Sequence, residues 1–273
     1  MQKFSTSPKE MLGGLWRNRG LIVAMTKREV IGRYRGSIFG IAWSFFNPLL
    51  MLAIYTFVFS VIFKSRWGVG GEYSKTDFAL IIFVGLTVHG LFAECVNRAP
   101  GLILSNVNYV KKVVFPLEIL ASVALGSALF HTTISVAVLL LAELIFQHNV
   151  PWTIILFPLV LIPLLFITMG FAWLLAALGV YVRDIGQITG VFTSVLFFLS
   201  PIVYPVSSIP ENYQWLMRLN PLAFVIEEGR NTLIFGQLPD VRLWLIMLIV
   251  SVVVAWLGFT WFQKTRKGFA DVL

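Results

Sequence analysis

The chain is poor in charge, in cysteine and in the clustered polar residues that enzymes use. Charged residues are 12% of its 273 residues, against about a quarter in a soluble domain. Hydrophobic residues are 58% and the mean hydropathy is +0.85, which excludes a water-soluble fold. A single cysteine, Cys95, excludes an internal disulfide. The three histidines, His89, His131 and His148, are scattered without metal-ligand spacing, so no metal site is expected, and no catalytic constellation stands out. Residues 70–76, Gly-Gly-Glu-Tyr-Ser-Lys-Thr, hold phosphate-loop residue types without the Gly-Lys-Ser/Thr order. The chain is therefore not expected to hydrolyse ATP, and uphill work would need a partner or an ion gradient. No short apolar stretch with a cleavage site opens the chain, so no removable signal peptide is expected.

What the chain has is long apolar runs. Crossing the hydrocarbon takes about 20 apolar residues in a helix, and six runs qualify: 37–63, 78–96, 117–146, 152–181, 188–204 and 243–262. The third and fourth are long enough to tilt or to extend past the bilayer. Spans of a β-barrel would be about half as long and would alternate in polarity. The fold expected is an all-α integral membrane protein with six transmembrane helices.

The net charge of +8 has its basic residues beside apolar spans, which points to topology and anionic lipid rather than nucleic acid. Ahead of the first span, Lys3, Lys9, Arg17, Arg19, Lys27, Arg28, Arg33 and Arg35 face only Glu10 and Glu29, a net of +6. Arg98, Lys111 and Lys112 follow span two, Arg183 with Asp184 follows span four, and Lys264, Arg266 and Lys267 end the chain. The loop 147–151 has no basic residue, and 206–240 sets Arg218 and Arg230 against four acids; only 64–77, with three basic residues, departs from the alternation. Basic loops stay cytoplasmic, so both termini are expected there.

Three stretches between or before the spans are patterned. Ser7-Pro8-Lys9-Glu10 has the form of a helix start, with Ser7 as cap, Pro8 in the first position and Glu10 able to reach back. Leu12, Leu15 and Trp16 then share a face away from Arg17 and Arg19. An amphipathic helix on the inner membrane surface is expected, or one docked on a partner. In 108–118, Asn-Tyr-Val-Lys-Lys-Val-Val-Phe-Pro-Leu-Glu, apolar residues alternate with a lysine pair that belongs in water, and Pro116 stops a helix. A short docking helix or an ordinary solvated loop would both look so. Pro201 and Pro205 end the fifth run, and Pro210, Pro221 and Pro239 follow in or just after a stretch that stays apolar over 206–236. Short re-entrant helices shielded by protein, or a compact outer cap, would satisfy both facts.

Aromatic residues are abundant. On the first span Phe39, Trp43, Phe46 and Phe57 share a helical face, and in span five Phe197 and Tyr204 share one with Pro201. Sugar rings stack their C–H faces on such surfaces, so a sliding conduit is one role; packing and interfacial belts are the other. Glu94 and Glu143 lie near span ends, where a carboxylate is either functional or able to reach the interface.

The run from Lys27 to Pro48, the 108–118 segment, Tyr181-Val-Arg-Asp-Ile185, Phe198-Leu-Ser-Pro-Ile-Val-Tyr-Pro205 and Leu219-Asn-Pro-Leu222 resemble, in order, the landmarks of ABC-2 type exporter permeases that move O-antigen, capsular polysaccharide and teichoic acid. The resemblance implies one transmembrane domain over 1–273. Its parts would be an interfacial helix in 1–36, spans one to five in 37–205, an outer gate segment with re-entrant helices in 206–241, and span six with a cytoplasmic tail in 242–273. It implies a bacterial inner-membrane location, a second copy of the chain, and two ATP-binding cassette subunits that bind the ATP and Mg, this chain holding no cofactor. Its cargo would be an undecaprenyl-linked glycan, O-antigen foremost.

By the same resemblance Tyr109, Lys111, Lys112, Phe115 and Pro116 would dock on the ATPase, with Arg183 and Asp184 as a second contact. Pro201, Pro205, Pro210, Asn220, Pro221, Glu227, Glu228 and Arg230 would belong to the gate. Phe39, Trp43, Phe46, Phe57, Phe197 and Tyr204 would line the conduit. Arg28, Arg33 and Arg35 would receive the substrate pyrophosphate as charge-assisted donors. Two other classes stay open: an ABC-2 permease for a drug or other small lipophile, and a secondary transporter or membrane enzyme.

Overall fold

A computed structural model describes residues 5–58, 75–111, 115–148 and 150–273, with the backbone alone described at 75, 76, 216 and 218. Every regular element among the described residues is helical. Among the described residues five helical stretches are long and apolar enough to cross a membrane: Gly40–Phe57, Asp77–Gly101, Ile119–Phe146, Trp152–Tyr181 and Val241–Val272. The end of the first expected span and residues 70–74 of the phosphate-loop-like run lie outside the described residues.

Helix α1 (Pro8–Arg17) begins as its sequence dictates. The Ser7 hydroxyl accepts the Glu10 N–H at 3.1 Å and Pro8 opens the first turn. Glu10 does not reach back to the cap; it pairs with Arg17 along the helix. Met11 is buried, whereas Leu12 and Trp16 face outward. Arg19 lies over the Trp16 ring at 4.8 Å rather than away from it. Thr6, just before the helix, accepts from the Trp256 indole at 2.9 Å, which ties the segment to the last long helix.

Helix α2 (Arg19–Tyr34) packs on α6 (Ile119–Phe146). Gly126 makes this possible, since a Cβ there would lie 2.7 Å from the Thr26 hydroxyl. Helix α3 (Trp43–Phe57) is mostly exposed and touches α4 (Lys75–Arg98) and α6. Helix α4 is the centre of the bundle, with Ala79, Ile81, Ile82, Val84, Val88, Cys95 and Val96 all fully buried. Helices α7 (Phe157–Tyr181) and α11 (Val241–Thr265) form the closest pair. A Cβ on Gly258 would sit 2.1 Å from the Gly170 carbonyl oxygen, and Ser251 and Ala255 continue the small-residue seam. Small residues give helices in lipid the close contact that apolar side chains cannot, because lipid tails compete with those equally well.

The end expected to face the cytoplasm is tied by side chains. Arg266 pairs with Glu118 at 2.8 Å, Trp173 donates to the Glu118 carbonyl at 2.9 Å, and Tyr181 donates to the Thr265 carbonyl at 2.7 Å. There the short helices α5 (Val107–Lys111) and α12 (Phe269–Val272) pack together.

The expected fifth span is shorter in the structure. Helix α8 (Ile185–Phe198) has 14 residues, roughly 21 Å at 1.5 Å per residue. The chain then turns through 199–204 before α9 (Glu211–Leu219) and α10 (Pro221–Leu233). Pro201 cannot supply the N–H that would continue α8, and the carbonyls freed at the turn find donors elsewhere: Asn220 reaches that of Leu199 and Arg230 that of Ile202.

Candidate functional site

Three helices bring charge together beside a cavity of about 290 Å³. The last turn of α2 supplies Arg33 and Tyr34, α4 supplies Glu94 and Arg98, and α6 supplies His131. Arg33 pairs with Glu94 at 2.7 Å, and His131 Nδ1 meets the other Glu94 oxygen at 2.9 Å. The Tyr34 hydroxyl lies 3.0 Å from His131 Nε2. Arg98 bridges Glu94, at 3.7 Å, and Glu29.

Burial pushes the Tyr34 hydroxyl above its ordinary pKa, so it keeps its proton. At the other side of the ring, Nδ1 lies 2.9 Å from Glu94 and 3.2 Å from the Arg33 guanidinium, so one imidazole faces a phenol, a carboxylate and a cation. The remainder of the lining mixes polar residues, Ser44 and Asn47 from α3 and Ser135 from α6 among them, with apolar ones.

This cluster was not visible as a motif. Glu94 is held by Arg33 and His131. Glu143 has a different setting. It is fully buried, and neither carboxylate oxygen has a partner among the described residues. His89 donates to, or accepts at, no ligand set; its Nε2 lies 3.0 Å from the Thr193 carbonyl oxygen and so donates to it.

The three arginines expected to act together diverge. Arg33 lines the cavity, Arg28 donates to the Tyr109 hydroxyl at 3.1 Å, and Arg35 caps the end of α2 on the exposed surface. Arg28 thereby joins α2 to the segment expected to dock. Tyr109 stacks on Phe115, with ring centroids 4.3 Å apart and planes 12° apart, and both rings pack on the core. Lys111, at the end of α5, is exposed. Pro116 is half-buried and its carbonyl accepts from Ile119 at the start of α6. Lys112 lies outside the described residues. Arg183 and Asp184 are exposed in the turn between α7 and α8.

The aromatic residues form separate groups. Phe39, Trp43 and Phe46 make an exposed edge-to-face cluster with centroids 5.5 to 6.5 Å apart. Phe57 instead borders a groove between α3 and α6. Phe197 packs edge-on against His89 at 5.4 Å, and Tyr204 donates to the Phe198 carbonyl at 2.6 Å.

The segment between α8 and α11 is anchored. Arg230 is fully buried and donates to the Ile81 carbonyl at 3.2 Å, the Ile202 carbonyl at 2.8 Å and Glu227 at 2.6 Å. Asn220 caps α10 through the Leu222 N–H and donates to the Ser200 hydroxyl, while Pro221 takes the first helical position. Pro210 precedes α9, Pro205 precedes a single 3₁₀ turn, and Pro201 is buried. Glu228 accepts from the Asp240 N–H at 3.3 Å, and burial raises its pKa.

Residues 20–234, from α2 to the end of α10, match the ABC-2 type transporter family. The chain belongs to that family. The matched stretch of this ABC-2 transporter chain contains the polar cavity, the Arg28–Tyr109 contact and the whole α9–α10 segment, whereas α1 and α11 lie outside it. The chain is also similar to the O-antigen export system permease protein RfbA of Myxococcus xanthus, 28% identical over 94% of this chain and 96% of the relative. A protein of the same description from Klebsiella pneumoniae is 27% identical over 93% and 95%. The polysialic acid transport protein KpsM of Escherichia coli is 22% identical over 80% and 83%.

Proposed function

We propose that the chain is the membrane-spanning permease subunit of an ATP-driven exporter that moves undecaprenyl-linked polysaccharide, O-antigen foremost, across the bacterial inner membrane. The observation that carries this reading is the end-to-end similarity to permeases named for O-antigen export. No comparable observation favours export of a small lipophile.

In this proposal the chain is no enzyme. Two copies pair, and two ATP-binding cassette subunits below them bind ATP and Mg and hydrolyse the nucleotide. Both termini are cytoplasmic. Helix α8 together with 199–204 completes a sixth crossing, and α9 and α10 are outer gate helices whose broken backbone is shielded by protein. The division into 1–36, 37–205, 206–241 and 242–273 follows.

Tyr109, Lys111, Lys112, Phe115 and Pro116 dock on the ATPase, with Arg183 and Asp184 as a smaller contact. Of the three arginines expected to receive the pyrophosphate, Arg33 holds it by exchanging Glu94 for the ligand, while Arg28 and Arg35 attract the anion to this end of α2. ATP binding moves the docking segment, and the Arg28–Tyr109 hydrogen bond passes that motion to α2. The ATP-bound partner must prefer one permease geometry, since a ligand shifts an equilibrium only by differential affinity. The glycan then advances between two permeases past Phe39, Trp43, Phe46, Phe57, Phe197 and Tyr204.

Depleting the protein in its native cell and fractionating lipid-linked glycans tests this. Polymer on undecaprenyl carrier should accumulate inside and vanish from the surface. An unchanged surface glycan without accumulation refutes the proposal.

A further inference from the structure

One face of α6 serves two recesses in succession. Ala128, His131, Thr132 and Ser135 border the polar cavity. One turn further, Val138, Leu141, Ala142, Ile145 and Phe146 border an apolar groove of about 670 Å³. Steps of three and four residues keep all nine on one helical stripe. Helix α3 forms the other wall of both recesses, with Tyr55 in the cavity and Thr56 in the groove. The groove floor is small and buried at Leu52, Val138 and Ala142, and its rim is exposed at Leu49, Phe57 and Ile145.

The polarity of this pair matches an amphiphile of the inner leaflet. The polar recess lies toward the end expected to face the cytoplasm, and the apolar one lies further along α6. The polar lining combines the Arg33 guanidinium, a donor for phosphate oxygens, with Glu94, Asn47, Ser44 and Ser135, partners for hydroxyls. A pyrophosphate joined to sugar uses both sets with two phosphates and a ring of hydroxyls; a phosphatidylglycerol head group brings one phosphate and two hydroxyls, so the polyprenyl chain in the groove is what separates the two.

We propose that the α3–α6 seam is a bipartite site whose groove holds the polyprenyl chain of the carrier lipid while the sugar-pyrophosphate head occupies the polar cavity. This rests on the reading of the chain as a permease for lipid-linked glycan.

The test uses the complete exporter, permease with its ATPase partner, in phospholipid vesicles. The probe is undecaprenyl pyrophosphate carrying a diazirine on a head-proximal isoprene unit, and labelled residues are located by mass spectrometry. Label is expected on Leu49, Ala53, Leu141 or Ile145, displaced by unlabelled undecaprenyl phosphate and not by added phosphatidylglycerol. Ala53→Trp, which fills the groove, should reduce labelling roughly tenfold. Val253→Trp, on an exposed face of α11, should not.

Label displaced equally by phospholipid would mean an acyl-chain groove and would overturn the proposal. So would label confined to other helices, or efficient disulfide formation between two copies carrying Leu141→Cys, which would make the groove a subunit interface. Any of these with intact glycan export sinks this inference alone, whereas absence of glycan export sinks the functional reading beneath it.

Discussion

The guanidinium of Arg28 donates to the phenolic oxygen of Tyr109 at 3.1 Å, across 81 residues of sequence. The bond joins the helix that carries Arg33 and Tyr34 to the segment proposed to meet the ATPase. Tyr109→Phe keeps the stack on Phe115 and removes the acceptor. A hydrogen bond of this kind is worth about 0.5–1.5 kcal/mol, so glycan exported per ATP hydrolysed should fall roughly two- to tenfold with the fold intact. Paired export and ATPase assays in reconstituted vesicles measure it, and an unchanged ratio rules out this contact as a transmission element.

The lysine pair at 111 and 112 gives a coarser version of the same experiment. Lys111→Glu with Lys112→Glu places negative charge where a lysine pair stood. Hydrolysis by the partner should continue while export stops, since docking rather than nucleotide chemistry is lost. Normal export in the double variant removes the docking role.

Features set by neighbours in sequence were legible without coordinates. Ser7 and Pro8 specify a helix start because the cap bonds only three residues on. Apolar runs marked the crossing helices because hydrocarbon demands them. What was hidden depends on partners far apart in the chain. Glu94 is isolated in sequence, and its partner His131 lies 37 residues on, with Arg33 98 residues before that histidine. Span five was read to end six residues past the end of α8 because the apolar pattern runs through Pro201; only Asn220 and Arg230, later in the chain, show that the turn's carbonyls are satisfied outside a helix. The aromatic pattern of 108–118 was visible, but not that Tyr109 would answer to Arg28.

The seam of α7 and α11 was hidden for the same reason, and it makes a stability prediction. Gly258→Val forces a side chain into the Gly170 carbonyl, with a Cβ approach of 2.1 Å. Overpacking costs about 1–3 kcal/mol even where neighbours can shift, and backbone cannot shift as a side chain can. Thermal unfolding in detergent should show a lower midpoint and reduced yield of folded protein. Gly186→Ala, in open space on α8, should leave the midpoint unchanged or raise it slightly, since alanine is the better helix residue by about 0.5–1 kcal/mol. Equal behaviour of the two variants refutes the packing account.

Arg230 anchors α10, so its loss should be structural before it is functional. Arg230→Met fills similar space and leaves the carbonyls of Ile81 and Ile202 without this donor. A buried polar group left unpaired costs about 1–3 kcal/mol, so the unfolding midpoint should drop and export should fall with it.

Glu228, two residues earlier, gives the opposite sign. Its pKa is raised by burial, so the folded protein prefers the neutral carboxyl. That preference stabilises fully below the ordinary carboxylate pKa of about 4.3 and is lost as pH rises through the raised value. Glu228→Gln removes the titration, and Gln can still accept from the Asp240 N–H. Its midpoint should exceed that of the unaltered protein at neutral pH, and the gap should close as pH falls toward 4. A gap that stays constant with pH would show that the carboxyl is not held neutral by its surroundings.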